Sequence, residues 1–107
     1  MEYNKPQSIY LPKDFDTWRW FQNHNVVMVY LWLLFNANLS DTYYFKDSIK
    51  RGSIVTTNSK IAKCCKLTIS NVRTALANLE CTGEISRESR NHYQIITVTD
   101  FDKYVSE

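Results

Sequence analysis

The sequence predicts an α+β domain, mainly helical, laid out as a winged helix-turn-helix with a small antiparallel β-hairpin wing. Three observations predict it. Residues 58–98 read as helix, short turn, helix, glycine, then two strands. A ten-residue apolar run, Val26 to Phe35, precedes them and supplies a core helix. The 107 residues, 44% hydrophobic and 14% aromatic, suffice for one core and one domain spanning 1–107.

The elements follow in order. Residues 1–13 read as an extended N-terminal arm, because Pro6 and Pro12 limit any helix. Asp14 or Asp16 caps a short helix through Trp18, Trp20 and Phe21. His24 or Asn25 leads into the apolar helix, which ends near Asn38. β-branched residues open this run, as they would a strand. Its length and the Leu31-Trp32-Leu33-Leu34 stretch favour helix. Being apolar all round, it is either central in the domain or buried by a partner chain. Leu39-Ser40-Asp41 breaks it. Thr42 to Phe45 and Ser53 to Thr57 read as short strands, with Asp47-Ser48 and Arg51-Gly52 as turn residues.

Asn58 then caps a helix from Ser59 to Cys65, with Ile61, Ala62 and Cys65 inward and Lys60, Lys63 and Lys66 outward. Lys66-Leu67 turns the chain, Leu67 plugs the turn, and Thr68 caps the second helix. That helix runs from Ile69 to about Thr82, where Gly83 stops it. Ile69, Val72, Leu76 and Leu79 form its core stripe, with Ala75 beside them for close packing. The hairpin comprises Glu84 to Ser89, a turn at Arg90-Asn91, and His92 to Val98, with Tyr93, Ile95 and Ile96 packing it onto the helices. Asp100-Phe101-Asp102 opens a short closing helix.

Charge is segregated. Between Ser48 and Leu79 stand six basic residues, Lys50, Arg51, Lys60, Lys63, Lys66 and Arg73, and no acid. The remaining seven basic and eleven acidic residues leave a net −4 elsewhere. A basic block over a groove-sized helix suits a phosphate polyanion. The ordinary alternative is a solvated helix face. On the outer face of the second helix, Ser70, Asn71, Arg73, Thr74 and Asn78 are candidate base-facing residues. Arg pairs bidentately with guanine and Asn with adenine, while Ser and Thr suit either. Lys50, Lys60, Lys63, Lys66 and Arg90 are candidate phosphate contacts. Arg87, Arg90, Asn91 and His92 at the hairpin tip suit a reach to the duplex; Glu84 and Glu88 oppose it.

Other chemistries lack their residues. Cys64, Cys65 and Cys81 are odd in number and two are adjacent, which fits neither a disulfide framework nor a CxxC metal site. They read as buried or half-buried thiols in a reducing, cytoplasmic setting. His24 and His92 have no evident nucleophile partner, and no Walker A, dinucleotide or HExxH motif occurs. We expect no enzyme, no metal and no cofactor. The N-terminus has no apolar signal region, and ten apolar residues fall short of the ~20 of a membrane span, so no membrane partner is expected.

From about Trp18 to Tyr104 the chain resembles the winged-helix N-terminal domains of phage and prophage replisome-organiser proteins, including DnaD-type primosome components. Four stretches carry the resemblance. They are Leu33-Leu34-Phe35-Asn36-Ala37-Asn38, Ile49-Lys50-Arg51-Gly52-Ser53, Val72 to Ile85 (VRTALANLECTGEI), and Ile95-Ile96-Thr97-Val98 with Phe101-Asp102-Lys103-Tyr104. The third is the most specific. The resemblance implies a double-stranded-DNA-associated domain of a phage or mobile element, acting in replication initiation or its control. It also implies a homo-oligomer formed through the N-terminal helices. Many members continue into a C-terminal domain, whereas this sequence ends at Glu107, so the expectation is a trimmed domain or a stand-alone winged helix.

Two rival functions use the same fold. One is a protein-interaction module in which Trp18, Trp20, Phe21 and Tyr30 dock to a second copy or to a replication protein. The other is a transcriptional repressor, which reads DNA with the same residues.

Overall fold

The computed structural model describes residues 8–105. It is an α+β arrangement of four α-helices and two small antiparallel sheets among these residues. A 3-10 helix, Lys13–Thr17, leads into α1 (His24–Asn36), and the hairpin of β1 (Thr42–Tyr44) and β2 (Asp47–Ile49) follows. Then come β3 (Ser53–Thr56), α2 (Asn58–Cys65), α3 (Ile69–Cys81), β4 (Ile85–Ser89), β5 (Gln94–Val98) and α4 (Phe101–Tyr104). Of the expected arm, the part before Ser8 lies outside the described residues; Ile9 forms an antiparallel bridge with Val105.

The core is made where α1 crosses α3. Val26, Val29, Tyr30, Leu33 and Leu34 from α1 meet Val72, Ala75, Leu76 and Leu79 from α3, all almost fully buried. Each large aliphatic side chain so buried contributes about 1.5–3 kcal/mol. Asn23 caps α1 by accepting the Val26 N–H at 3.2 Å, one residue earlier than the sequence suggests. The helix is not covered all round. Met28 is 49% exposed and Phe35, seven residues on and so on the same side, is 65% exposed.

Thr57, not Asn58, caps α2, accepting the Lys60 N–H at 3.1 Å. Lys66 ends it in the left-handed conformation, φ 57°. Thr68 caps α3 as expected, accepting the Asn71 N–H at 3.0 Å. Ile69 departs from the expected core stripe: on the first turn of α3 it stays 45% exposed. Gly83 follows α3 at φ +83°.

Further features differ from the sequence reading. Cys64 and Cys81 are exposed, and only Cys65 is half-buried. Trp18 to Phe21 form a bend and turns rather than a helix, and the two indoles are drawn to distant partners. Trp18 Nε1 donates to Glu84 Oε2 at 2.8 Å, and Trp20 Nε1 to Thr82 Oγ1 at 3.0 Å. Asp47-Ser48 is strand rather than turn, pairing with β1 in the register Tyr44↔Asp47 and Tyr43↔Ser48.

The second sheet has the order β3-β5-β4, all antiparallel. Ile96 faces the helices and joins the main cluster; Ile95 points to the other face by strand alternation and is buried apart from that cluster, as is Ile49 of β2. The turn from β2 into β3 passes through Gly52. Its φ is +87°, and an added Cβ would meet Phe101 Cβ at 2.9 Å. Beside it, Arg51 donates from its backbone N–H to Asp41, from Nε to Asp102 at 2.7 Å and from Nη1 to the Leu39 carbonyl at 2.7 Å, and it lies over the Phe101 ring. No helix among the described residues is long and apolar enough to cross a membrane.

Candidate nucleic-acid interface

The outward face of α3 is set by its buried one. With Val72, Ala75, Leu76 and Leu79 turned to α1, the helix presents Ile69, Ser70, Asn71, Arg73, Thr74, Ala77, Glu80 and Cys81 to solvent. Ser70, Thr74 and Ala77 are small, which keeps the middle of that face a low ridge. No acid occupies the first turn, leaving the positive end of the helix dipole uncompensated.

The predicted base-facing residues fall in three places. Arg73 lines an open cleft of about 570 Å³ beside the β4–β5 hairpin with Asn58, Glu80, Arg87, His92 and Gln94. Gln94 Nε2 donates to Asn58 Oδ1 at 2.6 Å, fixing the floor where α2 starts beside β5. Arg87 is tied to Glu80 at 2.8 Å, so Arg73 is the cleft's uncompensated arginine among the described residues. Ser70 and Thr74 are exposed on the ridge itself. Asn71, Thr74 and Asn78 border a smaller notch of about 110 Å³ against Asn23, Asn25 and Val26 at the start of α1. Asn78 is half-buried there, which turns it from the ridge toward α1.

Of the predicted phosphate-facing residues, Lys60, Lys63 and Lys66 are exposed and have no ion pair among the described residues. Lys50 lies 4.0 Å from Asp41, both well exposed. Arg90 is exposed, and its guanidinium is shared between Asp47 at 2.9 Å and Glu88 at 3.2 Å; the Asp47 bond raises its pKa. Within the basic block, Arg51 is likewise engaged inside the fold, so the charge facing solvent is smaller than the sequence count.

The predicted self-association residues fare differently. Tyr30 is 1% exposed and belongs to the core, so it cannot dock a partner. Trp18 and Trp20 are half-buried with their indole N–H groups bonded internally; Trp18 also packs on Tyr30, ring centroids 5.0 Å apart. Phe21 alone is exposed, at 39%. Sequence reasoning missed Asn58 and Gln94 in the cleft, and Tyr93. Tyr93 packs edge-on against Tyr44, and its hydroxyl donates to Asp47 Oδ2 at 2.5 Å. No local pattern signals these, since each is defined by a partner more than 30 residues away. Among the described residues no group of three or more His, Cys, Asp or Glu is placed to hold a metal ion. No protein-family model matches the chain, and no curated protein or solved structure is significantly similar to it.

Proposed function

We propose that the chain is a winged-helix DNA-binding domain of phage or mobile-element type, acting in DNA replication initiation or its control. In this reading α2 and α3 form the helix-turn-helix, and β4 and β5 form the wing. The single observation that carries it is the α3 ridge of Ser70, Arg73, Thr74 and Ala77. Its middle is low and free of acid up to Glu80, and the preceding helix exposes Lys60 and Lys63, with Lys66 at its end, none of them in an ion pair among the described residues. A ridge of that kind suits the major groove, where Arg73 meets base edges and Lys60, Lys63 and Lys66 meet phosphates. The replication role rests on the sequence resemblance. Fluorescence anisotropy with a labelled duplex at two salt concentrations tests the reading. Binding at micromolar protein that weakens by ~0.9 log units per phosphate contact for each tenfold rise in salt is expected. Absence of salt-dependent binding removes it.

A second reading, assembly, is favoured by the exposed α1 side bearing Met28 and Phe35. An apolar stripe on an otherwise buried helix suits contact with another copy. Light scattering should then give a multiple of the 12.6 kDa chain mass, reduced to the monomer by Phe35→Glu.

A further inference from the structure

The β1–β2 hairpin carries the two most exposed large apolar side chains of the described residues, Phe45 at 81% and Tyr43 at 76%. Phe45 stands first in the two-residue turn between Tyr44 and Asp47, at φ 55°. Glycine is the customary residue there, because a side chain is strained at positive φ. The ring does little for the fold: its contact is an edge-on one with Tyr44, centroids 4.6 Å apart. Tyr44 in turn packs edge-on against Tyr93 at 5.0 Å, and Asp47 is held by Arg90 and Tyr93. The hairpin is thus a fixed platform that holds two rings in water.

At its foot runs a groove of about 450 Å³ between the hairpin, the end of α1 and α2, lined by Trp32, Asn38, Tyr43, Tyr44 and Lys60. The local charge is positive. Asp47 is matched by Arg90, and Asp41 by Lys50 and the Arg51 backbone N–H. Lys46 and Lys60 have no ion pair among the described residues.

We propose that this hairpin and groove bind unpaired DNA bases. Tyr43 and Phe45 stack on them, and Lys46 and Lys60 meet the adjoining phosphates. Rings beside uncompensated cations match a strand whose base faces are open and whose backbone is anionic. A duplex covers those faces with neighbouring bases. A second copy is a poorer occupant, since a self-complementary contact would bring the same lysines together. The choice of DNA over RNA rests on the duplex reading above, through Lys60, which lies both on the basic side of α2 and in the groove. The stacking itself does not rest on it.

Titrations of labelled oligothymidylate, oligouridylate and duplex DNA separate the possibilities. Oligothymidylate should bind at micromolar protein, and Tyr43→Ala and Phe45→Gly should each weaken it about tenfold with duplex affinity unchanged. Tyr43→Trp should retain binding. Phe45→Gly suits the positive φ, so its loss of binding would not come from misfolding; circular dichroism checks Tyr43→Ala. No binding of oligothymidylate, equal binding by the variants, or stronger binding of oligouridylate overturns the proposal. So does a wild-type dimer dissolved by the same substitutions, in which a second copy covers the rings. Duplex binding lost with oligothymidylate binding intact overturns only the earlier reading, and the converse overturns only this one.

Discussion

Arg90 clasps Asp47 across 43 positions of sequence, with Nη2 at 2.9 Å from Oδ1 and Nε at 3.1 and 3.2 Å from the two oxygens. Tyr93 donates to the same carboxylate. The pairing joins the tip of β4–β5 to the β1–β2 hairpin, and it matches with an acid a cation that the sequence alone assigns to phosphate. The Arg90 hydrogen bond, then that of Tyr93, holds the Asp47 carboxyl below its usual range; the Asp47 bond pushes the Tyr93 phenol up. A depressed carboxylate stays ionised above its ordinary value, so the clasp should persist from neutral pH down to about pH 4 and open only below it. Asp47→Asn should return Tyr93 toward the ordinary phenol value of ~10, read as tyrosinate absorbance. Asp47→Asn combined with Glu88→Gln should also release Arg90 to a duplex and steepen the salt slope by about one unit.

Arg73 and Asn78 share a helix but not an outlook. Arg73→Ala should cost about 1–3 kcal/mol of specific duplex binding, whereas Asn78→Ala should change it little, because Asn78 faces the notch beside α1. Lys63→Ala should weaken all sequences alike and flatten the salt slope by about one unit. Anisotropy on matched and scrambled duplexes distinguishes the three.

Lys66 sets stability against binding. It closes α2 in the left-handed region, φ 57°, and Leu67 N–H reaches back to the Ala62 carbonyl at 2.9 Å, a helix end that glycine suits better. Lys66→Gly should raise unfolding free energy by ~1 kcal/mol, seen as a higher denaturant midpoint, while lowering duplex affinity.

Gly52 permits no side chain. Gly52→Ala combines a positive φ with a Cβ 2.9 Å from Phe101 and should lose about 2–4 kcal/mol. The denaturant midpoint should fall with an unchanged slope. An unaffected midpoint would contradict the close approach of Gly52 to α4.

Tyr30 gives the domain an alkaline limit. Burial, reinforced by Tyr104, holds its phenol far above the ordinary range. A group whose folded pKa is raised stabilises fully below its unfolded value and loses that contribution as pH rises. Stability should therefore fall above pH ~10, by about 1.4 kcal/mol per pH unit from this group. Tyr30→Phe should remove that slope, as urea titrations across the range will show.

What the sequence determined by itself was local. The spacing of Val72, Leu76 and Leu79 sets which side of α3 is buried, Thr68 and Gly83 mark its ends, and the acid-free block is visible by inspection, because each depends on neighbours within a few positions. Only the tertiary structure decided which charges face solvent and which rings are core. Arg51 and Arg90 look like Lys63 in a charge count, yet both are engaged by acids far away in the chain. Tyr30 and Tyr43 are both strand- or helix-borne tyrosines in apolar surroundings, yet one is core and the other stands in water. The pairing of β3 with β5 and the turn of Asn78 toward α1 have the same origin. Contacts between distant segments leave no periodic trace in either partner, so they are settled only when the chain closes on itself.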